Sequence, residues 1–135
     1  MDWTIEFDKA IEQYLPDLEV LQDEPMSRHT TFRIGGPAKR MAFPSSREQL
    51  VLLMSFAKDY GANPLVIGNG SNLLVPDEGL DRLVIDTSAN LNRVERGSGN
   101  TVLADAGATL ARTADLACKS GLTGLEFAHG IPGTV

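Results

Sequence analysis

Pro64-Leu65-Val66-Ile67-Gly68-Asn69-Gly70-Ser71-Asn72-Leu73-Leu74-Val75 is the stretch on which the reading of this chain turns. Leu65 to Ile67 is a short apolar run and reads as a buried strand. It delivers the backbone into five small or polar residues, and a second apolar run leaves on the other side. Gly68 and Gly70 remove Cβ where the main chain must turn sharply or let a ligand come close. Ser71 and Asn72 add hydroxyl and amide groups that can donate to oxygen. Successive N–H groups turned into such a loop form a nest suited to a phosphate. Two familiar phosphate loops are excluded. There is no Gly-Lys-Ser/Thr ending to bring a lysine to a terminal phosphate, and the third glycine of the dinucleotide fingerprint is missing. Pro76 would break a helix opened at Leu73. A phosphate held here would be held mainly by loop amides, with no helix N-terminus behind them. A tight strand–loop–strand connection without a ligand is the other reading of the same glycines.

Upstream of this stretch, Arg40-Met41-Ala42-Phe43 reads as a strand, and a helix opens after it. Ser45 is placed to cap the free amides, with Glu48 reaching back to the Ser45 amide. Leu50, Leu53, Met54 and Ala57 form one apolar face, and Gly61 supplies a left-handed exit. Strand, helix and strand make a βαβ unit, with the glycine loop at the carboxyl end of its second strand. Ligands collect at that edge of α/β sheets.

Downstream, Pro76-Asp77-Glu78-Gly79 reads as a turn and Leu83-Val84-Ile85 as another buried strand. Runs from Leu91 to Val94 and from Thr101 to Ala104 flank Arg96-Gly97-Ser98-Gly99-Asn100, a hairpin signal. Asp105-Ala106-Gly107-Ala108 is a second small-residue loop at a strand end. Thr109 then caps a helix carrying Leu110, Ala114 and Ala117 on one face, closed by Gly121. Cys118, late on that helix, reads as a small core residue rather than a nucleophile.

At the N-terminal end, Phe7, Ala10, Ile11 and Tyr14 recur at helical spacing over residues 4–15, and Pro16 stops the helix. Leu18 to Leu21 reads as a short extended piece. Residues 26–38 alternate hydroxyl, aromatic and basic side chains before a Gly-Gly-Pro turn, the composition of an exposed loop. Arg28, His29 and Arg33 place local positive charge there. The last fifteen residues hold four glycines and a proline, backbone shaped for close approach. The abrupt stop in this loop leads us to expect a fragment of something longer.

Composition narrows the class. At 135 residues the chain fits one domain, or one small lobe plus part of another. Eighteen acidic residues against twelve basic ones argue against a nucleic-acid face. A single cysteine excludes an internal disulfide and fits a reducing compartment. No run approaches the roughly 20 apolar residues that span a bilayer, and the N-terminus lacks the pattern of a secretory signal. The expected compartment is the cytoplasm. His29, His129 and Cys118 lack metal-ligand spacing, so no metal is expected.

Four motifs occur in a recognisable order: His29-Thr30-Thr31-Phe32-Arg33-Ile34-Gly35-Gly36-Pro37-Ala38, then Gly68 to Val75, then Ala106-Gly107-Ala108, then Gly121 to Val135. In order and spacing they resemble the N-terminal part of the bacterial UDP-N-acetylenolpyruvoylglucosamine reductase family. The resemblance covers nearly all of this chain and less than half of the family's usual length. It implies an α+β fold, the two-lobed FAD-binding domain of the vanillyl-alcohol-oxidase (PCMH) type. The first lobe with the N-terminal helix would occupy 1–88, and 89–135 would begin a second lobe that is incomplete here. It further implies a reductase that takes hydride from NADPH through FAD to the enolpyruvyl double bond of a UDP-sugar, making UDP-N-acetylmuramate for peptidoglycan.

By the same resemblance, Ile67, Gly68, Asn69, Gly70, Ser71, Asn72 and Leu73 would hold the FAD pyrophosphate. Gly107 and Ala108 would leave room beside it. Gly130, Ile131, Pro132, Gly133 and Thr134 would approach from the second lobe. The catalytic serine, arginine and glutamate of the family, and its substrate domain, are expected beyond Val135, so the piece alone is expected to be inactive. A non-catalytic nucleotide-binding module using the same loops is the competing reading.

Overall fold

The computed structural model describes residues 2–135. Its first element, α1 (Thr4–Tyr14), buries Phe7, Ala10 and Ile11 of the stripe that the helical spacing predicts, while Tyr14, its last member, is exposed at the helix end. Trp3 stacks edge-on against Phe7, with ring centroids 5.4 Å apart, and donates its indole N–H to Asp81 at 2.9 Å. Asp8 accepts from both Nε and Nη2 of Arg40, at 2.9 and 2.6 Å, which fastens the helix to the sheet through a two-pronged ion pair.

Four strands form the main sheet. β1 (Glu19–Pro25) runs antiparallel to β2 (Pro37–Phe43). β3 (Leu65–Ile67) and β2 both run parallel to β4 (Leu80–Asp86), which lies between them, giving the order β1-β2-β4-β3. The strand–helix–strand unit therefore exists with a later strand inserted into it. β1 outlasts the predicted Leu18 to Leu21 piece because it is an edge strand, where Pro25 forfeits no ladder bond.

Side chains alternate across this sheet as the pleat requires. Leu83 and Ile85 of β4 pack toward α1 and α2 (Arg47–Asp59), together with Trp3, Phe7, Ile11, Leu53 and Ala57. Val84 points the other way, into a second cluster with Met26, Met41, Phe43, Ile67 and Val75. The 26–38 stretch is the expected exposed loop only over residues 31–34; Met26 and Ala38 pack into that second cluster, and Thr30 is buried as well. Gly36 also lies against the backbone of Asp77, and its N–H donates to the Pro76 carbonyl at 2.9 Å.

Three further local expectations are corrected. The cap of α2 is Ser46, whose Oγ accepts from the Gln49 amide at 3.1 Å, while Gln49 Oε1 accepts from the Ser45 amide at 2.8 Å. The box is displaced by one residue, since Ser45…Glu48 and Ser46…Gln49 satisfy the same pattern. β3 is an edge strand rather than a buried one, and Val66 is 50% exposed. Cys118 is exposed as well, because Ala114 and Ala117 alone of α3 (Leu110–Lys119) are buried.

The remaining elements form a smaller layer. β5 (Val94–Arg96) and β6 (Val102–Ala104) make an antiparallel hairpin as predicted, though its first strand runs over 94–96 rather than 91–94 and takes in Arg96; Gly97 N closes it by donating to Thr101 O at 3.0 Å. Thr109 Oγ1 caps α3 by accepting from the Arg112 amide at 3.1 Å, and Gly121 leaves the helix at φ +71°. The layer is tied to the main sheet through Thr87, whose amide donates to Ile67 O at 3.0 Å and whose carbonyl accepts from Leu91. Gly107 fits against the Thr87 carbonyl, a space that a Cβ would fill.

Candidate functional site

A hollow of about 370 Å³ opens at the carboxyl edge of β3. One wall is β3 and the loop that follows, from Gly68 to Leu73. The other is Pro132, Gly133 and Thr134, with Leu110 at the start of α3. The second wall is held by backbone: Leu110 N donates to Gly133 O at 3.0 Å, Val135 N to Ala108 O at 2.8 Å, and Thr109 and Thr134 form an antiparallel bridge. The two walls touch where Ser71 Oγ donates to Pro132 O at 3.4 Å and where the Thr134 side chain sits over Gly68. A Cβ at residue 68 would occupy the same space as the Thr134 hydroxyl.

Backbone donors decide what this hollow can hold. Ser71 N reaches Asn69 Oδ1 at 3.3 Å. Among the described residues, the amides of Gly68, Asn69, Gly70 and Asn72 have no protein acceptor. Grouped in one short loop at the edge of the hollow, these amides are the kind of donors from which a nest for an anion is built. The helix beside them adds little, because the Leu110 amide is engaged by Gly133 and the Arg112 amide by the Thr109 cap. No charged side chain lines the hollow. The groups with displaced pKa values all lie elsewhere. Hydrogen bonding to Asp8 raises the Arg40 guanidinium, and hydrogen bonds from the Trp3 indole and the Lys119 ammonium lower Asp81 and Asp115 respectively.

Gly70 owes its lack of Cβ to its own chain. Its φ is +71°, and a Cβ there would run into the His29 carbonyl. That contact brings the 28–34 segment behind the loop, on the side away from the hollow.

Of the residues singled out in the sequence, Ile67 to Leu73 and Pro132 to Thr134 meet around the hollow. Gly107 and Ala108 are buried outside its lining, with Ala108 supporting Val135. Gly130 and Ile131 are exposed and also lie outside it. Sequence reasoning missed Leu65, Val66 and Leu110 as lining residues. Leu110 reaches the hollow only because α3 starts beside residue 133, and nothing near residue 110 announces that in sequence.

Residues 38–135 match the family model described as the FAD binding domain. The chain belongs to this FAD-binding family. The resemblance read from the four motifs also holds. The UDP-N-acetylenolpyruvoylglucosamine reductase of Caldicellulosiruptor bescii is 44% identical over 126 residues, which are 92% of this chain and 40% of that protein. Among solved structures, the reductase of the same name from Thermus caldophilus superposes with a TM-score of 0.59 at 32% identity, over 87% of this chain and 39% of that one. A glucooligosaccharide oxidase from Acremonium strictum superposes with a TM-score of 0.60 at 18% identity, over 85% of this chain and 25% of that one, and shows the fold alone. The α+β fold of the PCMH type is thus the fold present. The chain spans about two fifths of the length of the curated relatives that it matches. A FAD-binding family member needs a place for a diphosphate, and the four free amides fit one.

Proposed function

We propose that this chain is the FAD-binding part of an NADPH-dependent cytoplasmic reductase that converts the enolpyruvyl ether of UDP-N-acetylglucosamine into UDP-N-acetylmuramate for peptidoglycan. The observation that carries the reading is the glycine-lined hollow with unpartnered amides at Gly68, Asn69, Gly70 and Asn72. The names of the relatives supply the reaction class. Residues 67–73 would hold the diphosphate of FAD by backbone donation. Pro132 to Thr134 would close over it from the second lobe (89–135), with Gly130 and Ile131 leading in and Gly107 and Ala108 packed close behind. When bound, FAD would supply the hydride transfer, with NADPH as donor. The protein's own part is to hold the diphosphate without a counter-charge and to keep the two walls in register.

The test is made on the complete protein that carries this sequence. We expect a flavin absorbance band on purification, saturable uptake of FAD by the stripped protein, and NADPH oxidation that depends on the enolpyruvyl UDP-sugar. A folded protein that takes up ADP while refusing FAD would make this a nucleotide-binding module instead. One that takes up neither would overturn the reading altogether.

A further inference from the structure

The glycine loop is held from behind by one side chain. Thr31 lies outside the hollow, on the outer side of the loop. Its amide donates to the Gly70 carbonyl at 3.2 Å. Its hydroxyl is within reach of two carbonyls, Gly70 O at 3.5 Å and Ser71 O at 3.3 Å. The threonine is exposed and buries no apolar surface of consequence, so these polar contacts are what it contributes.

In a trans peptide plane the C=O and the following N–H point in opposite directions. The Ser71 carbonyl shares its plane with the Asn72 amide, and the Gly70 carbonyl shares its plane with the Ser71 amide. The Thr31 amide holds the Gly70 carbonyl and its single hydroxyl proton is nearer the Ser71 carbonyl, so the amides that share those planes are turned away from Thr31. The Ser71 amide is then met by Asn69 Oδ1, whereas the Asn72 amide is left free. Without the hydroxyl, the plane between Ser71 and Asn72 loses its tether. Gly70, at φ +71° against the His29 carbonyl, remains fixed by the Thr31 amide.

We infer that Thr31 is a positioning residue for anion capture: its hydroxyl sets the direction of the Asn72 amide and so tunes the hollow for a diphosphate, without touching the ligand. The inference rests on the proposed role of the hollow as a FAD diphosphate site. It adds a residue from a segment forty positions upstream that the lining of the hollow does not include.

The experiment compares Thr31→Val and Thr31→Ser with wild type in the complete protein, by calorimetric titration with FAD, ADP and riboflavin. Loss of one net hydrogen bond corresponds to about a 3- to 10-fold weakening. We expect that loss for FAD and ADP in Thr31→Val, none for riboflavin, which lacks the diphosphate, and near wild-type affinity in Thr31→Ser. The ligand-free melting temperature should stay close to wild type in all three. Should Thr31→Val fail to fold, Thr31→Ala repeats the comparison. Unchanged FAD affinity, equal weakening for riboflavin, or no rescue by serine each overturns the inference. Wild-type protein that binds neither FAD nor ADP breaks the cofactor reading itself. Binding by wild type and Thr31→Val alike breaks only the role of Thr31.

Discussion

The four-stranded layer and the hairpin layer solve the same problem with different materials. The first fills both faces of its sheet with large side chains: Phe7, Met26, Met41, Leu53, Leu83 and Ile85 are all fully buried. From residue 89 onward the buried apolar side chains are alanines, at 108, 114, 117 and 128, while Leu103, Phe127 and Val135 stand more than half exposed. Apolar area removed from water is the main stabilising term, at roughly 25 cal/mol per Å². The first layer therefore has its own core. The second is held largely by backbone contacts to the first, at Thr87, Leu91 and Gly107. The hollow lies where the two meet, with one wall on each kind of support.

The comparison breaks if a truncation costs the same in both layers. Leu53→Ala empties a fully buried site between α2 and the sheet. It should lower the unfolding free energy by about 2–5 kcal/mol, measured by urea denaturation. Leu122→Ala, half-buried beside α3, should cost under about 2 kcal/mol in the same measurement. Equal losses would mean that the second layer is packed as firmly as the first.

The two capped helices sharpen the contrast. Ser46→Ala and Thr109→Ala remove equivalent cap bonds, each worth about 0.5–2 kcal/mol. For Ser46→Ala the loss should appear in global unfolding. For Thr109→Ala it should appear as faster hydrogen exchange in α3, with the amides of α2 unaffected. A global shift of equal size in both variants would contradict this.

The smallest effect is that of acid. Bonds from its own amide and from Gly124 N, the latter at 2.9 Å, hold the Glu126 carboxylate below its usual range, and the Lys119 ammonium does the same for Asp115. A carboxylate whose folded pKa is depressed stabilises the fold above its unfolded pKa, and that stability is lost as pH falls through the folded value. Below about pH 4, the protection of the Gly124 amide, relative to its intrinsic exchange at the same pH, should fall before that of any amide in α2. Simultaneous loss of both would show that acid acts on the main core instead.

The sequence was legible wherever the determinant was local. The α1 stripe, the exits at Gly61 and Gly121 and the hairpin tip at Gly97 each follow from residues within a few positions of one another. The α2 cap slipped by one because two serines in a row satisfy the same local rule, and only packing separates them. Cys118 misled because it lies four residues after Ala114, so its spacing places it on the buried face. Nothing in spacing says how wide that face is. The exposed tip of the 26–38 stretch could be read, but its buried part could not. Its burial depends on Val75 and its hydrogen bonds on Gly70 and Ser71, contacts some forty residues distant. For the site, the loop from Gly68 to Asn72 and its partner at Pro132 to Thr134 could be picked out. The lining by Leu110 and the support from Thr31 could not, since both arise from how separate segments meet.

A hollow without charged side chains has a kinetic consequence in a chain whose formal charge is −6. Peptide dipoles attract only at contact, whereas the net charge of the molecule acts out to a Debye length of roughly 8 Å at physiological salt. An anionic ligand entering the hollow would be slowed on approach by this chain's charge, so added salt should hasten its association rather than retard it. Tight retention in such a site would have to come from a slow escape.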